Sequence, residues 1–336
     1  MSEDIFIKNL NTLLRMGKIS KKYFDILAAF YNGYYEETIS VISKKEISSL
    51  FNTLLDLLVD QFKNPHAFDL YHQKITQPFD YQKFGMDFLK PLVDLKKSKV
   101  YGIDNLKEIK KYLDKNENVI LLSNHQSEVD PQLLNILLED SFFSIASNII
   151  LVAGERVIID PIAIPFSMGC NLLCIYSKRY INIDLKQKHQ KQIHNKNVMS
   201  RMRDLLSTGG KIIYVAPSGG RDRKNKKGKI EIANFDPQSL EMFYLMAKKA
   251  KTPTHFFPLT LATYNILPPP LKIQIELGET RVVNRSSVLI SFSPEINLEK
   301  FPGSDEKNKI KRRKNKAKYI HNIVKEEYEK ITQGTL

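Results

Sequence analysis

A histidine and an aspartate five positions apart, His125 and Asp130, are the residues whose types and spacing most clearly predict chemistry. They follow an apolar run at residues 119–122, which is typical of a buried strand, and Asp130 precedes Pro131 as an N-cap would at the start of a helix. A carboxylate on one imidazole nitrogen fixes the tautomer and leaves the other nitrogen to accept a proton. The pair therefore predicts a general base at a strand-to-helix turn.

The same two residues also have a purely structural interpretation. On a regular helix, positions i and i+5 lie on opposed faces, so His125 and Asp130 could meet only in a turn. A bare H-x4-D match arises often by chance. Asp130 could simply cap a helix while His125 is a polar loop residue. The spacing alone does not decide between these interpretations.

A second candidate site follows another predicted strand, at residues 211–216. The loop at residues 218–223 reads SGGRDR, with Arg221 and Arg223 on either side of Asp222. Glycines let backbone N–H groups approach a ligand closely, and arginine binds phosphate with two parallel hydrogen bonds. Because open α/β sheets bind ligands at the carboxyl ends of their strands, this loop predicts a phosphate clamp. A solvated charged loop, or a structural ion pair between Arg221 and Asp222, is the alternative.

Three further features of the sequence are possible site residues. Lys178 and Arg179 follow a predicted strand at residues 172–176 and form a second candidate anion site at the same sheet edge, or else an ordinary basic loop. Ser218 is a weak candidate nucleophile, because its setting is not the G-x-S-x-G elbow. The two cysteines of the chain are too few for a disulfide scaffold or a zinc site, so we expect them to pack against apolar neighbours and expect no metal.

Composition narrows the classes of protein that the chain can belong to. A hydrophobic fraction of 42% suits a folded protein rather than a disordered one. No apolar run approaches the ~18 residues that a membrane span needs, and the N-terminal residues do not resemble a signal peptide. With only two cysteines, a reducing compartment fits, so we expect a soluble, cytoplasmic protein.

The net charge of +14 points to anionic partners. Such an excess attracts phosphorylated substrates, acidic proteins and anionic membrane surfaces, so peripheral contact with a membrane is compatible with it. The charge is concentrated at residues 178–229 and 307–318. The second of these runs lacks the interleaved aromatic residues of a nucleic-acid platform, so we expect no nucleic-acid partner.

The hydrophobic pattern divides the chain into two parts. Residues 1–75 show short helical repeats with polar breaks, one of them at Asn32-Gly33, which predicts a small helical bundle. Residues 76–336 alternate strands with helices, which predicts an α/β domain with a mostly parallel sheet flanked by helices. We therefore predict two domains with these boundaries.

Three motifs in order resemble one known family. They read NHQSEVDP, VAGERVIIDPIAIPFSMGCNLLCIYSKRYI and IIYVAPSGGRDR, and they are similar to the soluble, plastid-type glycerol-3-phosphate 1-O-acyltransferases. Residues 79–94 and 255–261 fit the same family. The similarity covers roughly residues 75–300 and, more weakly, the N-terminal helices. The length of these motifs favours the catalytic interpretation of His125 and Asp130.

The resemblance implies an enzyme and a reaction. A fatty acyl group would move from a thioester of acyl carrier protein or coenzyme A to the sn-1 hydroxyl of glycerol 3-phosphate. The product would be lysophosphatidic acid, the first intermediate of glycerophospholipid synthesis. No cofactor is implied, since the acyl carrier is a co-substrate. The H-x4-D pair of the family is catalytic and matches His125 and Asp130 here.

The resemblance also implies a phosphate pocket. Two arginines of the family match Arg221 and Arg223. A Lys-His pair of the family aligns with Arg179 and Tyr180 here, preceded by Lys178. This is a departure, because Tyr180 offers a neutral hydroxyl where the family often has an imidazole. We therefore predict a clamp that uses Arg221, Arg223, Arg179 and Lys178.

Two other functions remain open at this point. A related H-x4-D enzyme could acylate lysophosphatidic acid, although such enzymes commonly have membrane segments. A non-catalytic basic protein could instead bind lipid or nucleic acid. The intact His125–Asp130 pair and the loop at residues 218–223 favour the enzyme.

Overall fold

The computed structural model describes residues 4–177, 181, 186–270 and 277–333. Twelve α-helices are described within these ranges, and most of them cover the two faces of one sheet. They are α1 (Ile5–Arg15), α2 (Lys21–Thr38), α3 (Lys44–Lys63), α4 (Tyr81–Leu89), α5 (Ile103–Asp114), α6 (Asp130–Leu137), α7 (Phe143–Ala146), α8 (Arg156–Ile159), α9 (Ile164–Met168), α10 (Lys188–Thr208), α11 (Pro237–Lys249) and α12 (Lys309–Thr332). No helix in the described ranges combines the length and the apolar character needed to cross a bilayer.

The strands form one eight-stranded sheet and a small hairpin. They are β1 (Tyr71–His72), β2 (Lys99–Tyr101), β3 (Asn118–Ser123), β4 (Ile150–Gly154), β5 (Asn171–Ile175), β6 (Ile212–Val215), β7 (Arg223–Lys224), β8 (Ile230–Glu231), β9 (Thr254–Ala262) and β10 (Leu289–Phe292). The large sheet has the order β1-β5-β4-β6-β3-β9-β10-β2, and five of its seven pairings are parallel. The predicted fold class, a mostly parallel sheet flanked by helices, is confirmed.

The central strand β3 explains why both sheet faces are covered. Val119 and Leu121 belong to one apolar core, whereas Ile120 and Leu122 belong to the core on the opposite face. All six residues of β3 are buried. Successive side chains of a strand alternate between faces, so a continuous apolar run needs protein on both sides. Because both faces of β3 are buried, its register is fixed. The position of the loop that follows its carboxyl end is therefore fixed as well.

The N-terminal helices pack on the first of these cores through an aromatic cluster. The hydroxyl of Tyr34 in α2 donates a hydrogen bond of 2.6 Å to the carbonyl of Phe88 in α4. The predicted break at Asn32-Gly33 is wrong, because α2 continues through it to Thr38. Tyr31 and Tyr34 are buried on either side of the Asn-Gly pair, and this tertiary packing outweighs the poor helix propensity of glycine. The domain boundary near residue 75 stays a prediction.

Candidate active site

A cleft of about 290 Å³ lies at the carboxyl edge of the sheet. Its walls include residues from the loops that follow β3, β4 and β6, three strands that lie side by side in the order β4-β6-β3. The carboxyl ends of parallel strands lie at the same edge of the sheet. The loops that follow them therefore lie close together, although they are far apart in sequence. His125, Arg156 and Arg221 consequently line the same cleft.

The predicted His–Asp pair forms at this edge. The Nδ1–H of His125 donates to Oδ2 of Asp130 over 2.8 Å, with 29% of the histidine side chain exposed and 1% of the aspartate. Asp130 also accepts the N–H groups of Gln126 and Ser127, at 3.0 and 3.2 Å, and the hydroxyl of Thr263 at 2.6 Å. Three of the four donors, the N–H groups of Gln126 and Ser127 and the hydroxyl of Thr263, hold the carboxyl group in place, and the fourth contact puts the imidazole proton on Nδ1 of His125. The Nε2 atom of His125 is then the proton acceptor.

Asp130 shapes the turn rather than capping the helix. Helix α6 begins at Asp130 itself, with Val129 in the cap position, so the predicted N-cap assignment is wrong by one residue. The carboxylate hydrogen-bonds backward, to the N–H groups of Gln126 and Ser127, instead of forward into the first helical turn. These backward bonds close the loop around the carboxylate and hold the histidine beside it.

A second buried carboxyl group, that of Asp222, forms hydrogen bonds to the same loop. Asp222 accepts hydrogen bonds from the side-chain amides of Asn124 and Gln126, at 2.9 and 3.2 Å, and from the N–H of Ala233 at 2.8 Å. Its own N–H donates to the carbonyl of His125 over 2.6 Å. Burial raises the pKa of Asp222 to about 6, although the three donors act in the opposite direction. The SGGRDR loop is thus joined directly to the backbone of the histidine.

The two arginines of this loop take different partners. Nη2 of Arg221 donates to both carboxylate oxygens of Glu279, at 2.7 and 2.9 Å, and Nη2 of Arg156 lies 3.7 Å from the same carboxylate. Nη1 of Arg221 is buried and has no hydrogen-bond acceptor within the described ranges. Arg223 donates to the carbonyl of Pro270. The interpretation of Arg221 as the ion-pair partner of its neighbouring aspartate is therefore wrong.

A further ion network lies beneath Glu279. Nε of Arg281 donates to Glu128 over 2.6 Å, its Nη2 lies 3.7 Å from Asp160, and its Nη1 donates to the carbonyl of Glu279 at 3.0 Å. Burial alone would lower the pKa of the Arg281 guanidinium, but Glu128 and Asp160 raise it above its ordinary value. Asp160 also accepts the N–H of Gly278 at 2.9 Å. The segment that carries Glu279 is therefore fixed by buried charges.

The rest of the cleft is apolar and open. Apolar side chains along its walls include Leu151, Phe166, Leu172, Met242 and Phe243. A Cβ atom added at Gly154, Gly219 or Gly220 would meet no atom within 4 Å, so these glycines border open space. Burial raises the pKa of the Cys170 thiol, also in the wall, to about 12, which suits a packing role and not a nucleophile. The cleft can take a charged group and a long apolar group together.

Comparison with known proteins identifies the family. A family model described as Acyltransferase matches residues 97–262. The chain is 37% identical over 300 residues to the glycerol-3-phosphate acyltransferase, chloroplastic, of Spinacia oleracea, a match that covers 88% of this chain and 64% of that protein. It is 34% identical over 302 residues to the glycerol-3-phosphate acyltransferase ATS11, chloroplastic, of Cucurbita moschata, covering 89% and 68%. The chain belongs to the glycerol-3-phosphate acyltransferase family.

The matches cover only part of the length of these relatives. The chain spans about 64% of the length of the spinach relative and about 62% of the Arabidopsis thaliana one, to which it is 36% identical over 285 residues. The crystal structure of the 1-acyl-sn-glycerophosphate (LPA) acyltransferase of Thermotoga maritima aligns over 98% of this chain and 95% of that one, at 15% identity. The TM-score of that alignment is 0.41. Family membership rests on the plant relatives.

The structure brings four of the predicted site residues into this cleft, namely His125, Asp130, Arg221 and Arg223. Lys178 and Arg179, with the neighbouring Tyr180, lie outside the described residues. Ser218, the weak candidate nucleophile, donates its hydroxyl to the carbonyl of Gly220 at 2.9 Å, which suits a turn-forming role. Within the described ranges, no group of three or more His, Cys, Asp or Glu side chains could hold a metal ion.

Five charged residues near the cleft were missed by the sequence analysis. They are Glu128, Arg156, Asp160, Glu279 and Arg281. The first three lie inside the motifs that carry the family resemblance. Their presence in those motifs is the one feature of the sequence that could have pointed to them. Glu279 and Arg281 lie outside those motifs, and only the folded chain brings them to the others.

Proposed function

We propose that the protein transfers a fatty acyl group from an acyl carrier protein or coenzyme A thioester to the sn-1 hydroxyl of glycerol 3-phosphate. The observation that carries the proposal is the composition of the cleft at the carboxyl edge of the sheet. It combines a His–Asp pair, a buried arginine nitrogen without an acceptor among the described residues, and an apolar wall. These three parts correspond to a hydroxyl to be deprotonated, a phosphate to be held and an acyl chain to be buried.

The phosphate of the acceptor would bind beside Arg221. A buried guanidinium nitrogen without an acceptor is costly unless a ligand supplies one, and phosphate oxygens form strong, charge-assisted hydrogen bonds with it. Arg223 lines the same cleft, and the glycines of the loop leave room for a ligand to approach. Lys178 and Arg179 complete the proposed clamp on the strength of the sequence resemblance.

The proposed reaction is a direct transfer of the acyl group from the thioester to the hydroxyl, with His125 as the general base. Nε2 of His125 removes the proton of the sn-1 hydroxyl as its oxygen attacks the thioester carbonyl carbon. Asp130 stabilises the imidazolium that forms. The tetrahedral intermediate collapses, the C–S bond breaks, and the imidazolium returns the proton to the thiolate. Lysophosphatidic acid and the free thiol carrier are the products.

The acyl donor would approach along the apolar wall. Burial of an acyl chain contributes about 0.8 kcal/mol for each methylene group, which is ample to hold a long chain. The net charge of +14 suits either donor, because acyl carrier proteins are acidic and coenzyme A carries phosphates. We further propose a cytoplasmic or similarly reducing compartment, in keeping with two buried free cysteines.

A parallel assay tests the proposal. Palmitoyl thioesters of acyl carrier protein and of coenzyme A are each incubated with glycerol 3-phosphate, glycerol or lysophosphatidic acid, and release of the free thiol is followed. We expect turnover with glycerol 3-phosphate and far less with the other two acceptors, and the donor ratio identifies the carrier. Preference for lysophosphatidic acid would assign the other acceptor, and no turnover with any pair would refute the enzyme.

A further inference from the structure

Glu279 lies where the phosphate clamp meets the buried ion network. Its carboxylate holds one nitrogen of Arg221 through two short contacts and lies 3.7 Å from Arg156. It is one of the residues that line the cleft, yet its side chain is only 10% exposed. A carboxylate in that position limits where the neighbouring guanidinium groups can point.

The backbone that carries Glu279 is held from three directions. The N–H groups of Gly278 and Glu279 donate to Asp160, at 2.9 and 3.4 Å, and Arg281 donates to the carbonyl of Glu279 at 3.0 Å. Helix α2 covers the outside, since a Cβ atom on Gly278 would lie 3.1 Å from Ile26. Because its own backbone is fixed in this way, Glu279 can serve as a fixed support for a longer, more flexible side chain.

The two nitrogens of the Arg221 fork are used unequally. Nη2 satisfies both oxygens of Glu279, whereas Nη1 is buried with no acceptor among the described residues. A guanidinium is planar, so fixing Nη2 also fixes the direction of Nη1. An arginine side chain has many rotamers, and ordering it on ligand binding costs conformational entropy. If the side chain is already held in one rotamer before the ligand binds, binding no longer includes that cost.

We propose that Glu279 is a positioning residue that holds Arg221 by Nη2 so that Nη1 is presented to the phosphate of the acceptor. This inference rests on the proposed function and adds a specific determinant to it. It makes Glu279 favourable for binding although it carries the same charge sign as the ligand. A carboxylate that merely competed with phosphate for Arg221 would have the opposite effect on affinity.

The sign of the change in KM tests the inference. We expect Glu279→Ala to raise the KM for glycerol 3-phosphate at least about tenfold, with a smaller change in kcat, because Arg221 loses its support. Glu279→Gln keeps one acceptor oxygen for Nη2, and we expect a rise of several-fold. An unchanged or lowered KM in either variant that folds, as checked by circular dichroism, would overturn the proposal.

A double variant shows whether Glu279 acts through Arg221. If it does, KM of the Arg221→Ala/Glu279→Ala variant lies within about twofold of the Arg221→Ala value, since residues of one unit are not additive. Independent, multiplying effects would overturn the inference. Glycerol, which lacks the phosphate, is the matched acceptor, and the Glu279 variants should use it as poorly as the native chain does.

A control variant separates this effect from a general loss of stability. Glu241 forms a half-buried ion pair of 2.9 Å with Lys316, outside the lining of the cleft. Glu241→Ala removes a comparable carboxylate, and we expect it to leave the KM unchanged.

If the native chain itself shows no acyl transfer to glycerol 3-phosphate, the proposed function fails. A KM that is measurable and insensitive to Glu279 defeats only this inference.

Discussion

The two sides of the cleft are built in different ways. On the histidine side, His125 and Asp130 lie five residues apart, and backbone N–H groups of the same loop surround the carboxylate. On the arginine side, the partners are far apart in sequence: 58 positions separate Arg221 from Glu279, and 153 separate Arg281 from Glu128. One side is a local turn and the other is a long-range network of buried charges.

This difference separates what each side can do. A short loop with its hydrogen bonds closed internally can hold one imidazole in one tautomer, which suits proton transfer. A network of guanidinium and carboxylate groups drawn from several segments can adapt its charge and shape to an anion, which suits binding. Substitutions on the histidine side should therefore act mainly on kcat, and substitutions on the arginine side mainly on KM.

The largest effect is expected on the histidine side. His125→Ala should lower kcat by about 10²- to 10⁴-fold, the usual contribution of general acid–base catalysis, with little change in the KM for glycerol 3-phosphate. The side chain is partly exposed, so the fold should survive. Steady-state kinetics with palmitoyl thioesters, together with thermal unfolding, measure both quantities. Retention of native turnover would show that His125 is not the base.

A smaller effect, of the other kind, is expected at Arg221. Arg221→Ala should raise the KM for glycerol 3-phosphate about 10- to 100-fold, because a charge-assisted contact to phosphate is lost. Arg203→Ala is a suitable control, since that arginine is exposed and pairs only with its neighbour Asp204 among acidic residues of the described ranges. If Arg221→Ala changed kcat alone, the expectation that the arginine side of the cleft acts mainly on KM would be wrong.

The same contrast explains how much of the fold could be predicted from the sequence. The strands β3 and β6 were predicted because each is a continuous apolar run ended by turn-forming residues. The strands β1 and β2 have only two and three residues and carry no such signal. They exist because β5 and β10 pair with them. Helix α2 was predicted too short, since only tertiary packing holds it through Asn32-Gly33.

The site follows the same rule. His125 and Asp130 could be found from a local motif, and Arg221 and Arg223 from a loop after a strand. Glu279 could not be found, because an isolated glutamate has no local pattern that marks an ion pair 58 positions away. The role of Asp222 could not be predicted either, since two of its three donors come from the loop after β3, about a hundred positions earlier in the sequence.

Asp222 joins the two sides, so its titration should affect turnover. Its pKa is raised to about 6 by burial, and protonation would remove an acceptor position from the three donors that it serves. We expect kcat to fall as the pH drops through about 6. Asp222→Asn should lower kcat about tenfold at higher pH and make the acid limb less steep, since the carboxyl group at position 222 no longer titrates. A pH–rate profile for both proteins measures this.

Stability gives an independent check on Asp222, with a defined sign. A carboxyl group whose pKa is higher in the folded state contributes stability below its unfolded pKa of about 4, and this contribution is lost as the pH rises through about 6. Relative to Asp222→Asn, the native chain should therefore lose about 3 kcal/mol of unfolding free energy between about pH 4 and about pH 7. Equal pH dependence in urea unfolding would show that Asp222 does not titrate in this range.

The smallest effect is expected from substitution of Ser218. A small effect would exclude a mechanism in which Ser218 carries the acyl group covalently. A covalent acyl-enzyme would need an activated nucleophile hydrogen-bonded to a base, whereas the Ser218 hydroxyl donates to the carbonyl of Gly220. Loss of that turn contact should change kcat and KM by about twofold or less. Steady-state kinetics of Ser218→Ala measure this. A drop in kcat as large as that of His125→Ala would instead place the acyl group on Ser218, and the proton-transfer role of the histidine side would then serve the serine.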